Sequence, residues 1–208
     1  RPGFVTGGLL GAARARAVAL IVAGALVVAA TTALLLLVVH PWALADESGR
    51  WPLRDFLVTE FGRAGLVRVA LALLLAAVLH GAGAAAAGAR RWVLAVMIGA
   101  LLMASSAWLA HASSRLSQRG PLMLVTVLHQ LGGVLWVGGL IHLVGFAVLW
   151  RRAGAAAGPA GVTVLSRFSA VAIGGMMLVL GPGIGLTLSY VADWGALIGT
   201  GYGVMVLT

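Results

Sequence analysis

Histidines are the side chains best equipped for chemistry in this 208-residue chain, which has five of them and no cysteine. His129 and His142 both fall in LHQLGGVLWVGGLIHLVGFAVLW, the stretch from Leu128 to Trp150. Each has paired glycines one helical turn away, Gly132-Gly133 and Gly138-Gly139. The stretch is long and apolar enough to cross a bilayer, where an ionisable group is costly and usually functional. His80 and His111 lie in other apolar runs, and His40 stands beside Pro41 and Trp42 where the first run ends. Without thiolates, imidazole and thioether are the soft donors left, and both suit Cu(I); imidazole pairs also hold haem.

The elements that must position these groups are transmembrane helices. Hydrophobic residues make up 62% of the chain, charged residues 9%, and mean hydropathy is +1.08. Apolar runs of this length must be helical, because lipid offers the backbone no hydrogen-bond partner, and the alternation of a barrel strand is absent. The expected fold is an all-α polytopic bundle occupying 1–208 as a single transmembrane domain. Spans are expected at about 17–39, 66–84, 92–112, 122–150 and 166–191, with another starting at 201–208. Pro41 ends the first, and Pro121 suits the first turn of the fourth. The chain opens on Arg1 and stops at Thr208 inside a new apolar run, so it is expected to be part of a longer protein. The first run is too long for a cleavable signal peptide and lacks a small-residue cleavage site.

Net charge is +9. In a soluble protein that would suggest nucleic acid; here the distribution reports topology, and no nucleic-acid partner is expected. Arg1, Arg14, Arg16, Arg90, Arg91, Arg151, Arg152 and Arg167 gather at one end of the spans with no acid among them. All the acids lie in the opposite connections, mixed with the remaining arginines. The positive-inside rule therefore predicts a cytoplasmic N-terminal end and cytoplasmic 2–3 and 4–5 loops.

Depth follows from counting along helices. His111 lies twenty residues beyond Arg91, and His129 twenty-two before Arg151. Those counts correspond to about 30 Å and about 33 Å. On antiparallel neighbours the two imidazoles share an outer level. His80 and His142 count to about 15 Å and about 13.5 Å, giving an inner pair. Within the fourth span the two histidines are offset by about 220° at about 100° per residue, so they point to different neighbours. His40 lies at the outer mouth as a further ligand candidate. Met176 and Met177 count to the inner level from Arg167 and are candidate thioether ligands. Methionine in a span more often serves packing, and Met103 and Met123 call for the same caution. A lone transmembrane histidine can equally serve to hydrogen-bond a carbonyl on another helix. Gly181 and Gly185, four apart in span five, signal close helix packing. Thr59-Glu60-Phe61-Gly62 and Thr200-Gly201-Tyr202-Gly203 form a faint internal echo, each leading from a loop into a span.

Several segments together resemble the membrane domain of the CopD (copper resistance protein D) family. They are TEFGRAGLVRVALALLL from Thr59, LAHASS around His111, LHQLGGVLWVGGL from Leu128, SRFSAVA from Ser166, and GTGYGVMVL from Gly199. The resemblance implies a bundle of about eight helices in the bacterial inner membrane, handling copper delivered by a periplasmic copper-binding protein. It carries over to His111, although Ala110 stands where the family usually has glycine, and to His129. It does not reach His80 or His142, which rest on the depth count.

Three functions follow as expectations. The first is copper transport or resistance, with copper passing from His111 and His129 towards His80, His142 and the methionines. The chain has no Walker motif and no enzymatic activity is expected. The second is a b-type cytochrome, with the same histidine pairs as axial ligands of haem b. The third is a non-catalytic subunit packed among other membrane subunits.

Overall fold

The structure is a computed structural model describing residues 2–45, 49–80, 88–109, 119–152 and 159–190, with side chains from residue 11 in the first segment and from 161 in the last. It is an all-α bundle. The helices are α1 (Pro2–Leu34), α2 (His40–Ala43), α3 (Leu53–Leu57), α4 (Glu60–His80), α5 (Ala89–Trp108), α6 (Arg119–Gly133), α7 (Gly139–Arg152) and α8 (Pro159–Tyr190). A π turn, Leu35–Val39, joins α1 to α2, and another, Val134–Gly138, joins α6 to α7. By length and apolarity, five segments can cross a membrane: Gly11–Ala43, Glu60–His80, Ala89–Trp108, Arg119–Arg152 and Gly161–Tyr190. The span expected to start at 201–208 lies outside the described residues.

The spans form a ring with one addition. α1 packs along α4, α4 along α5, α5 against α6, and α7 returns to α1. α8 lies outside this ring along α6, the second π turn and α7. The largest shared core joins α1, α4 and α5 through Val18, Ala25, Leu75, Ala76, Leu79, Ala95 and Ile98. Small residues there let the helix backbones approach, which is how helices associate when lipid is as apolar as their side chains. Large side chains point outward instead, with Ile173 66% and Leu188 68% exposed. Inside and outside are thus reversed relative to a water-soluble bundle, as a lipid solvent requires.

Local chemistry explains the irregular points. Pro41 has no N–H and its ring clashes with the carbonyl four residues back, so the helix widens into a π turn just before it. Leu36, in that turn and 1% exposed, fills the space left by Gly65, where a Cβ would come within 2.6 Å of its Cδ2. Thr59 caps α4. Its hydroxyl oxygen accepts from the Gly62 N–H at 3.0 Å and donates to the Phe56 carbonyl at 2.6 Å. A Cβ on Gly62 would collide with the backbone of Phe56 and Leu57. The first half of the sequence echo is therefore a helix-start device; the second half, at 200–203, lies outside the described residues.

Helix ends differ from the sequence expectation. α8 starts at Pro159, well before Ser166, so Arg167 sits two turns inside it and does not mark its entry. The second span begins at Glu60 and α4 is described to His80. The fourth runs from Arg119 to Arg152, longer than a bilayer core of about 30 Å requires.

Candidate functional site

His129 sits on α6, against α8. Its Nδ1 lies 2.9 Å from the Val179 carbonyl oxygen. A carbonyl only accepts, so Nδ1 carries a proton, and the tautomer this selects for the neutral ring has its lone pair on Nε2. Two features of α8 build this contact. Pro182 removes a helix N–H and crowds the Leu178 carbonyl, loosening the backbone ladder in the turn that contains Val179. Gly183 leaves the imidazole its space, since a Cβ there would stand 3.2 Å from His129 Cε1 and Nδ1. No described residue bonds Nε2.

The glycine pairs beside the histidines separate into different roles. Gly132 is a close crossing: a Cβ there would lie 2.6 Å from the Gly175 carbonyl oxygen and from the Val179 nitrogen. Gly133, its neighbour, has nothing within 4 Å and leaves open space one turn from His129. Gly139 faces Phe168, whose Cε2 would lie 3.0 Å from a Cβ there, while Gly138 is open. In α8 the tight positions are Gly175 and Gly183. The expected packing pair is looser, with Gly181 open and Gly185 meeting only Val125 at 3.8 Å.

These contacts set the register of the fourth span against α8: Gly139 by Phe168, Gly132 by Gly175, His129 by Val179 and Gly183. Met176 and Met177 therefore lie level with the Gly132 crossing, about one turn from His129, and not at the level of His142. The count from Arg167 misplaced them because Arg167 is not at the helix start. Met176 is half-buried; Met177 is 67% exposed.

Polar side chains also tie the ring of spans together. Gln130 Oε1 accepts a hydrogen bond from the Ser106 hydroxyl, joining α6 to α5. Arg68, on α4 and half-buried, donates from one terminal nitrogen to the Leu102 carbonyl at 3.0 Å and to Ser105 Oγ at 3.2 Å. Glu60 pairs with Arg119 at the end opposite the N-terminal arginines. His129 lies ten residues inside Arg119, about 15 Å along the helix. The Ser106–Gln130 bond brings the last turn of α5 level with His129. His111, three residues beyond Trp108, lies outside the described residues, so the outer pair is seen through His129 alone.

The inner histidines stand apart. His80 is the last residue of α4, and the Arg68–Leu102 register places it level with Arg90. His142 is exposed on α7, three residues from Gly145, which lies against the Arg16 side chain. It is thus about 4.5 Å along α7 from the level of that arginine side chain, while nine residues of unbroken helix keep it about 13.5 Å from Arg151. It lines a groove of about 430 Å³ walled by α1, α7 and α8, with no α4 residue among its described lining. The second π turn changes the direction in which it faces. One extra residue in a turn reduces the offset between His129 and His142 from about 220° to about 120°, and both face the α8 side of the span.

His40 belongs to an aromatic cluster, its ring 5.1 Å from Phe61 edge-on and 5.5 Å from Phe56. This packing fixes the turn from α2 into α3 and α4. Among the described residues no three of histidine, cysteine, aspartate and glutamate gather closely enough to hold a metal ion. Sequence reasoning missed Arg68 and the Ser106–Gln130 bond. Arg68 was passed over because the expected span began at about 66, which left it near the mouth; α4 starts at Glu60 and carries it eight residues in. No family model, curated protein or solved structure matches the chain.

Proposed function

We propose that the protein carries copper within the bacterial inner membrane, with Cu(I) as cargo at an outer imidazole site centred on His129. The observation behind this reading is the His129–Val179 hydrogen bond. A metal-ligating histidine almost always donates its other ring N–H to a carbonyl, carboxylate or water, which fixes the tautomer and raises the basicity of the free nitrogen. His129 has that arrangement, with Nε2 left for an ion. His111 supplies the second imidazole in this proposal, and the resemblance to the CopD family supports the pair. Cu(I) binds imidazole and thioether readily. Met176, level with the glycine crossing one turn further in, is the next donor along the way. Entry is from the periplasm, the basic end facing the cytoplasm, and the role is transport, not catalysis.

One observation favours a second reading, haem b in electron transfer. The open space at Gly133 beside His129 offers room for a flat ligand, and bis-imidazole ligation is ordinary haem chemistry. Both readings use His129, and one preparation separates them. Purified protein is titrated with Cu(I) against a chromophoric chelator, alongside His129→Ala and His111→Ala variants, and its visible spectrum is recorded. The copper reading expects a histidine-dependent site that weakens by about 10- to 100-fold in either variant. Unchanged copper affinity in both variants defeats it, and a Soret band lost in His129→Ala establishes haem instead.

A further inference from the structure

The groove beside His142 combines two features that copper handling does not use. Its walls are apolar, with Leu20 from α1, Phe146 from α7 and Phe168 from α8. Its polar lining is basic: Arg14, Arg16 and His142, with no acid. The described acids, Asp55 and Glu60, sit at the other end of the bundle. Arg14 already covers the Trp92 ring at 5.2 Å. Arg16 lies across the fourth span where Gly145 has no side chain, its Nε 3.5 Å from where a Cβ would be. Arg167 lies two turns inside α8 and is exposed, which adds positive charge near the same level.

We propose that this groove holds an anionic phospholipid, with the headgroup phosphate on Arg16 and His142 and an acyl chain along Leu20, Phe146 and Phe168. Arg16 is exposed among apolar walls at the end of the bundle, where it can meet an anionic partner, and guanidinium matches phosphate through paired hydrogen bonds. Basic pockets between transmembrane helices recognise lipid headgroups in this way. The volume of about 430 Å³ takes part of one lipid, so the rest of the lipid would extend into the bilayer. Here α1 and α7, otherwise joined over a short contact, gain a shared ligand. The inference rests on the membrane reading of the five helices and is independent of copper.

The test is native mass spectrometry of the full chain released from detergent containing phosphatidylglycerol, phosphatidylcholine or inorganic phosphate. The wild type is expected to retain one phosphatidylglycerol in preference to phosphatidylcholine, and inorganic phosphate is not expected to displace it. Arg16→Gln should lower retention about fivefold, as loss of one basic contact with an anionic lipid implies. Arg16→Lys should keep an intermediate share, which guards against a folding defect, and Arg63→Gln at the opposite end should change nothing. Equal retention of the two lipids, equal loss in Arg63→Gln, or displacement by inorganic phosphate overturns the proposal.

Discussion

Gly132 and Gly133 are adjacent and chemically identical, yet they do opposite things. The first lets two backbones touch, its missing Cβ replaced by the Gly175 carbonyl and the Val179 nitrogen; the second faces open space. Gly132→Ala must push α8 away from α6 and with it the Val179 carbonyl that holds His129. Overpacking of this kind costs about 1–3 kcal/mol. Gly133→Ala meets nothing and gains helix propensity, about 0.5–1 kcal/mol in the favourable direction. Thermal unfolding in detergent should therefore show a lowered midpoint for the first and an equal or raised one for the second; a matching fall in both would refute the crossing. The histidines themselves were legible in the sequence, because an imidazole in an apolar run announces itself. Which glycine packs and which is open was not, since that depends on the backbone of another helix. His40 shows the same limit: its aromatic partners, Phe56 and Phe61, lie beyond a polar connection.

Helices were the most legible level, because lipid leaves the backbone few alternatives. Their existence and order follow from apolar runs, but their depths do not follow from arginines alone. Arg167 is two turns inside α8, and each residue counted from it carries that error. The π turn at Val134–Gly138 adds a second error, rotating α7 against α6 without any sequence signal as plain as a proline. The packing of neighbours, by contrast, can be checked directly, since the chain has no native cysteine to interfere. Val125→Cys with Gly185→Cys should form a disulfide on mild oxidation, since a Cβ at Gly185 would lie 3.8 Å from Val125 Cγ1. His80→Cys with His142→Cys should not, because α1 stands between α4 and α7. Efficient cross-linking of that second pair would contradict the order of helices in the ring.

At the scale of the molecule the bundle has two chemically different ends. Glu60 and Arg119 pair at one, and an acid-free set of described arginines occupies the other. His129 stands between them, facing α8, at about the level where Gln130 bonds Ser106 and Arg68 bonds Leu102 and Ser105 on the other side of the fourth span. Of the two expected histidine pairs, His80 and His142 stand at the basic end on opposite sides of α1, and His111, the partner expected for His129, lies outside the described residues. The Val179 carbonyl on α8 fixes the His129 tautomer, which in the proposed function leaves Nε2 for copper. Side-chain nitrogen NMR of histidine-labelled protein in lipid nanodiscs tests it most directly. The account predicts a protonated Nδ1 and a bare Nε2 for His129, with Cu(I) shifting Nε2; a protonated Nε2, or a His129 signal indifferent to Cu(I), would contradict it.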